Sequence, residues 1–218
     1  MGDNKQPINM NYDTDVMQLL QQAEELKVSG QPHKAISVLQ QIIISEPNCT
    51  EAYEEIGDNY LSLRDTNKAA KALAEALRLA PDSSNAHYLM GFMFSLQEKW
   101  KQSVQELEKA DGISPNHPEI LRCLGWAFYN ANRRGQGISI LERSHNLNPI
   151  DPNILCDLGV CYMNSLQHQK AKKTFEQALK LDPQSEQARE CLQVLKSFEA
   201  SINPNNESII SDNADLLT

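Results

Sequence analysis

Apolar and small residues recur along the chain with two nested periods. Between Thr50 and Ser83, Tyr53, Ile56, Gly57 and Tyr60 fall at helical spacing; Ala69, Leu73 and Ala76 do so again before Pro81 closes the block. Two amphipathic helices and a stop are predicted there. The arrangement returns with Pro47, Pro81, Pro115, Pro149 and Pro183, each 34 residues after the last. A constant period of that length marks an array of one repeated supersecondary unit.

Aligned on those prolines, the blocks are 16–49, 50–83, 84–117, 118–151 and 152–185. Position 8 is small throughout (Ala23, Gly57, Gly91, Gly125, Gly159), which lets the two helices of a block approach closely. Position 11 is large (Leu26, Tyr60, Phe94, Phe128, Tyr162) and position 20 small again (Ala35, Ala69, Ser103, Gly137, Ala171), so that one fills the space the other leaves. Position 24 reads Leu39, Leu73, Leu107, Leu141 and Phe175, and position 27 reads Ile42, Ala76, Ala110, Ser144 and Ala178. On these positions the chain resembles the tetratricopeptide-repeat family, over 170 of its 218 residues, five times 34. The resemblance implies an all-α fold, an α-solenoid of five helix-turn-helix units.

Outside the array, residues 1–15 read as a disordered segment, with Asp13, Thr14 and Asp15 as helix-capping candidates. The first block turns at Ser29-Gly30-Gln31-Pro32. The fourth has the weakest second helix, because Gly135 and Gly137 each cost about 1 kcal/mol relative to alanine; the most mobile turn is expected at 132–138. Residues 186–200 carry one apolar stripe (Ala188, Cys191, Leu192, Leu195, Phe198) opposite Arg189, Glu190, Gln193 and Lys196. That is the pattern of a capping helix with a polar outer face. Residues 201–218 read as a disordered acidic tail that carries two apolar pairs, Ile209-Ile210 and Leu216-Leu217.

Charge narrows the partners. Twenty Lys and Arg against 29 Asp and Glu leave a net charge of -9. Nucleic acid and anionic membrane both require a basic footprint, so neither is expected as a partner. A neutral or basic protein is. The opening residues MGDNKQPINM lack the apolar run of a secretion signal, no stretch is long enough to span a bilayer, and Gln6 stands where a myristoylation motif needs Ser or Thr. A soluble, cytoplasmic chain is expected. Cys49, Cys123, Cys156, Cys161 and Cys191 are odd in number and form no C-x-x-C pair, so buried reduced thiols are expected rather than zinc ligands or disulfides.

No catalytic pattern is visible. His33, His87, His117, His145 and His168 are scattered over different blocks, and the glycines sit at packing positions rather than in a phosphate-binding loop. The chain is read as non-enzymatic, without cofactor or metal.

Candidate binding residues lie about 100° around the first helix of each block from its packing stripe, at positions 2, 5, 9, 12 and 13. In tetratricopeptide proteins those positions line the concave ligand groove, so the resemblance makes them partner-binding residues here. They include Glu24, Glu51, Glu54 and Asp58 at an acidic end, and Tyr88, Phe92, Arg122, Trp126 and Tyr129 in an aromatic middle. Asn153, Cys156, Val160, Met163 and Asn164 form a softer apolar end. Residues 88–94, Tyr-Leu-Met-Gly-Phe-Met-Phe, are apolar around most of the helix, as a helix covered on all sides would be. Aromatic and Arg side chains are the usual anchors of interfaces, and Arg122 can grip a carboxylate or pair with Glu119. The members of the family that clamp chaperone C-termini carry Lys and Asn at positions 5 and 9. The chain has Leu20/Glu24, Glu54/Asp58, Tyr88/Phe92, Arg122/Trp126 and Cys156/Val160 there, which argues against that specialisation.

The resulting expectation is a protein-protein interaction scaffold or adaptor that takes a peptide or helix with apolar anchors and basic residues. Two alternatives stand beside it. One is a self-associating scaffold, in which Ile8-Met10-Tyr12 or the apolar pairs of the tail occupy a groove and produce a homo-oligomer. The other is a non-catalytic subunit of a larger complex.

Overall fold

The computed structural model describes residues 14–202. The expected disorder of the two terminal segments therefore falls mostly outside the described residues, as do Ile8, Met10, Tyr12, Ile209, Ile210, Leu216 and Leu217. Thr14 already opens a helix, with Asp15 in its first turn, where a negative charge complements the helix dipole. At the other end the last helix runs two residues past 200, to Ile202.

The described residues form α-helices and short turns, with no strand among them. They divide into two compact units that meet in sequence between Ser114 and Pro115. In the first, α1 (Thr14–Val28), α2 (Pro32–Ser45), α3 (Thr50–Ser62), α4 (Thr66–Leu79), α5 (Ser84–Leu96) and α6 (Trp100–Ile113) form three hairpins; α2 packs on α3, α4 on α5 and α3 on α5. In the second, α7 (Pro118–Asn130) pairs with α8 (Arg134–Leu147) and α9 (Pro152–Asn164) with α10 (His168–Leu181), and α11 (Glu186–Ile202) packs on α10 and α9.

Each hairpin turns in the same way. The fifteenth residue of the block takes the left-handed conformation: Gly30 (φ 73°), Arg64 (60°), Glu98 (56°), Asn132 (65°) and Leu166 (60°). The amide of the next residue then bonds back to the carbonyl five residues earlier, as in Gln31 to Leu26 at 2.8 Å and Asp65 to Tyr60, Lys99 to Phe94, Arg133 to Phe128 and Gln167 to Tyr162, each at 2.9 Å. This closes the orphan carbonyls at the end of the first helix. Only the first hairpin uses glycine, the residue that adopts this conformation without steric cost.

The tightest approach between paired helices lies at positions 8 and 24. A Cβ on Gly57, Gly91, Gly125 or Gly159 would meet Leu73, Leu107, Leu141 or Phe175 at 2.6, 2.5, 2.8 and 2.6 Å respectively. All four of those partners are fully buried. At position 20 of the fourth block the nearest atoms are backbone. A Cβ on Gly137 would lie 2.6 Å from both the Gly125 carbonyl oxygen and the Tyr129 amide nitrogen, backbone atoms of α7 that cannot swing aside. Gly137 is thus required by the closeness of α7 and α8, whereas Gly135 faces open space.

In the second unit a core cluster of apolar side chains is built on Leu141, Leu155, Cys161, Phe175 and Ala178 and continued by Ala188, Leu192 and Leu195 of α11. The other face of α11 exposes Arg189, Glu190, Gln193 and Lys196. In the first unit, one cluster centres on Leu39, Ile42 and Ala52 and another on Leu61, Leu73 and Leu89.

Candidate functional site

The eight residues singled out as partner-binding fall in both units. Glu51, Glu54, Asp58, Tyr88 and Phe92 belong to the first, and Arg122, Trp126 and Tyr129 to the second.

In the first unit the acidic residues have unequal surroundings. Glu51 is exposed in the first turn of α3. One turn on, Glu54 is buried, and its carboxylate accepts hydrogen bonds from the Ser83 hydroxyl and from Asn85 Nδ2 (2.8 Å). Ser83 also caps α5 by accepting from the Ala86 amide at 3.0 Å. Glu54 is therefore a strut between α3 and the start of α5. Replacing Ser83 with alanine removes the cap and leaves a buried carboxylate oxygen without its donor. The expected loss is about 2 kcal/mol, read as a lower denaturant midpoint; an unchanged midpoint would show that the strut carries no stability.

Asp58 lies 3.1 Å from the Lys27 ammonium, which also reaches Glu55 and Glu24 at 2.8 Å each. Burial alone would lower the pKa of Lys27, but hydrogen bonds to Glu24 and Glu55 and the charge of Asp58 outweigh it and raise it. Burial raises that of Glu55, and Lys27 only partly offsets the effect. One cation among three carboxylates leaves the cluster negative. On α5, Tyr88 and Phe92 sit one turn apart, half-buried and stacked with ring centroids 6.5 Å apart and planes at 17°.

In the second unit Arg122 is held from two sides. Its Nε and one terminal nitrogen donate to Glu119 at 2.8 and 2.6 Å, and the other terminal nitrogen donates to Asp157 at 2.5 Å. Asp157 has its carboxyl pushed up by burial, against the pull of Arg122. The guanidinium thus ties α7 to α9. Tyr129 is buried, with its hydroxyl 3.1 Å from that of Ser165. Trp126 is different: it is half-buried, with its inner side on the core cluster, and Val160 and Met163 of α9 lie half-buried on the same cluster. Val194 on α11 is 60% exposed. It stands 34 residues after Val160 and 68 after Trp126, so carrying the repeat register one block further would have added it to the sequence list.

Other reactive groups are committed to structure. All five cysteines are free thiols, four of them buried, and burial pushes Cys123 up to about 12. His87 bonds Glu106 at 2.7 Å through Nδ1 and the Pro81 carbonyl at 3.0 Å through Nε2. Among the described residues no cluster of His, Cys, Asp and Glu has the grouping of a metal site, and no helix is long and apolar enough to cross a membrane.

Comparison with known proteins agrees with the repeat pattern. Family profiles described as tetratricopeptide repeat match residues 29–91 and 152–185. Among solved structures, the fold resembles TTC0263, a thermophilic repeat protein of this kind from Thermus thermophilus (TM-score 0.73, 15% identity, 83% of this chain and 98% of that one). It also resembles Pseudomonas aeruginosa pilF (0.71, 13%, 92% and 97%). A third similar structure is YrrB, described as having an unusual peptide-binding site (0.60, 18%, 82% and 92%). No curated protein matches the sequence significantly.

Proposed function

Because the chain is a protein of tetratricopeptide repeats, we propose that it is a non-enzymatic interaction scaffold whose first helices take a peptide or helix of a partner protein. The observation that carries this reading is Trp126, a large aromatic left partly exposed on a face where the core already has its neighbours. Interface energy concentrates in such anchors. Val160, Met163 and Val194 extend an apolar strip on the same helix positions of α9 and α11. In the first unit Tyr88 and Phe92 offer a stacked aromatic pair, and Glu51 with the negative cluster around Lys27 favours a partner with basic residues. Glu54, Arg122 and Tyr129 serve in supporting roles, since each is engaged inside the fold. The peptide-binding site in the description of YrrB supports the same class of ligand. We place the protein in the cytoplasm, where its five free thiols stay reduced.

The test begins with a partner captured by the full chain and identified by mass spectrometry, whose affinity is then titrated. Trp126→Ala is expected to weaken binding by about 2 kcal/mol, roughly thirtyfold, and Tyr88→Ala/Phe92→Ala to weaken it further. Unchanged affinity in both variants would remove these faces from the site.

A further inference from the structure

The second unit leaves a basic and apolar surface uncovered beside the start of α10. The Phe198 ring of α11 is 45% exposed and lies tilted on His168, with centroids 4.9 Å apart, which sets the last turns of α11 against the first turn of α10. Two residues before His168, Leu166 is 78% exposed in the left-handed turn position that Gly30, Arg64, Glu98 and Asn132 take elsewhere. Leucine is a costly choice there, for its backbone and for the apolar surface it leaves in water. Along α10, Lys170, Lys173 and Lys180 are exposed at offsets of three and ten, which keeps them on one side of the helix, with exposed Glu176 beside Lys173 and Lys180. Lys170 stacks over the Tyr162 ring at 5.1 Å, and among the described residues none of the three forms an ion pair.

Residues 203–218 have the complementary composition. They carry Glu207, Asp212 and Asp215 with no Lys or Arg, together with Ile209-Ile210 and Leu216-Leu217. They leave α11 at Ile202, one turn past Phe198, and Pro204 opposes continuation of the helix at that point. Reach is ample: the ten residues from Ile202 to Asp212 extend about 33 Å, and the 14 residues of α10 rise about 21 Å.

We propose that residues 203–218 fold back on their own second unit, with Ile209 and Ile210 covering Phe198 and Leu166 and with Asp212 and Asp215 set against Lys170 and Lys173. Phe198 stands one turn after Val194 on α11, so the docked segment would border the strip of Trp126.

Carbodiimide crosslinking of the full chain, read by peptide mass spectrometry on a one-to-one mixture of ¹⁵N-labelled and unlabelled protein, tests it. The expected products join Asp212 or Asp215 to Lys170 or Lys173 within single chains. Their yield falls roughly fivefold in Ile209→Asp/Ile210→Asp and at raised salt, with helicity unchanged. Reversing the charges on one side (Lys170→Glu/Lys173→Glu) abolishes them, and reversing both sides (adding Asp212→Lys/Asp215→Lys) restores crosslinks between the same positions. Products to lysines elsewhere, no products, or products insensitive to these changes would overturn the proposal. Mixed-isotope products alone would overturn it in favour of a second copy docking there.

Discussion

Replacing Phe175 with alanine is expected to lower the stability of the second unit by about 3–5 kcal/mol. The side chain is fully buried and its ring fills the hollow over Gly159, where three of its carbons lie within 2.9 Å of the place a Cβ would occupy. Glycine gives the α9 backbone no side chain with which to refill that hollow, so truncation leaves a cavity between α9 and α10. Phe175→Leu should cost only about 1.5 kcal/mol, because the four other hairpins already carry leucine at this position. Denaturant unfolding followed by fluorescence resolves the two cases. Trp100 lies in the first unit and Trp126 in the second, so a Trp100→Phe background reports on the second alone. Equal losses for the alanine and leucine variants would refute the cavity account.

The second large effect is expected at Gly137, with the opposite sign two residues earlier. Valine at 137 must push its Cβ into the Gly125 carbonyl and the Tyr129 amide, which forces α7 and α8 apart at a cost of about 3 kcal/mol. Alanine there gains helix propensity but meets the same backbone atoms, for a net loss of about 1 kcal/mol. Gly135→Ala meets nothing within 4 Å and should gain up to about 1 kcal/mol. Propensity alone treats the two glycines alike, so thermal denaturation of this pair separates propensity from packing. Gains at both positions would mean that α7 and α8 are not pressed together at Gly137.

That pair also shows what the sequence discloses and what it hides. The hairpin boundaries were legible, because every second helix begins at position 17 and ends at position 30 of its block, where the turn residues and the block-closing prolines place it. The need for glycine at 137 was not. Composition reports a missing side chain, and only the distance between two backbones says whether one would fit. The binding faces were partly legible for a related reason. Glu54 and Tyr129 lie off the packing stripe when each helix is considered alone, yet Ser83 and Asn85 engage the first and Ser165 the second. Those covers come from the next hairpin, 29 to 36 residues along the chain. The pairing of Arg122 with Glu119 is local and is one of the two readings that helical spacing offers, whereas Asp157, 35 residues on, is outside the reach of helical periodicity.

The packing of α1 on α2, α2 on α3, α3 on α4 and α4 on α5 in the first unit, and of α7 through α11 in the second, joins elements that are close in sequence. Chain closures in such a topology are short, which is the condition for folding on the microsecond-to-millisecond scale. During synthesis the ribosome adds about 5–20 residues per second, so each hairpin has time to form before the next emerges. The first unit can thus be folded, with its aromatic pair already stacked, while the second is still being made.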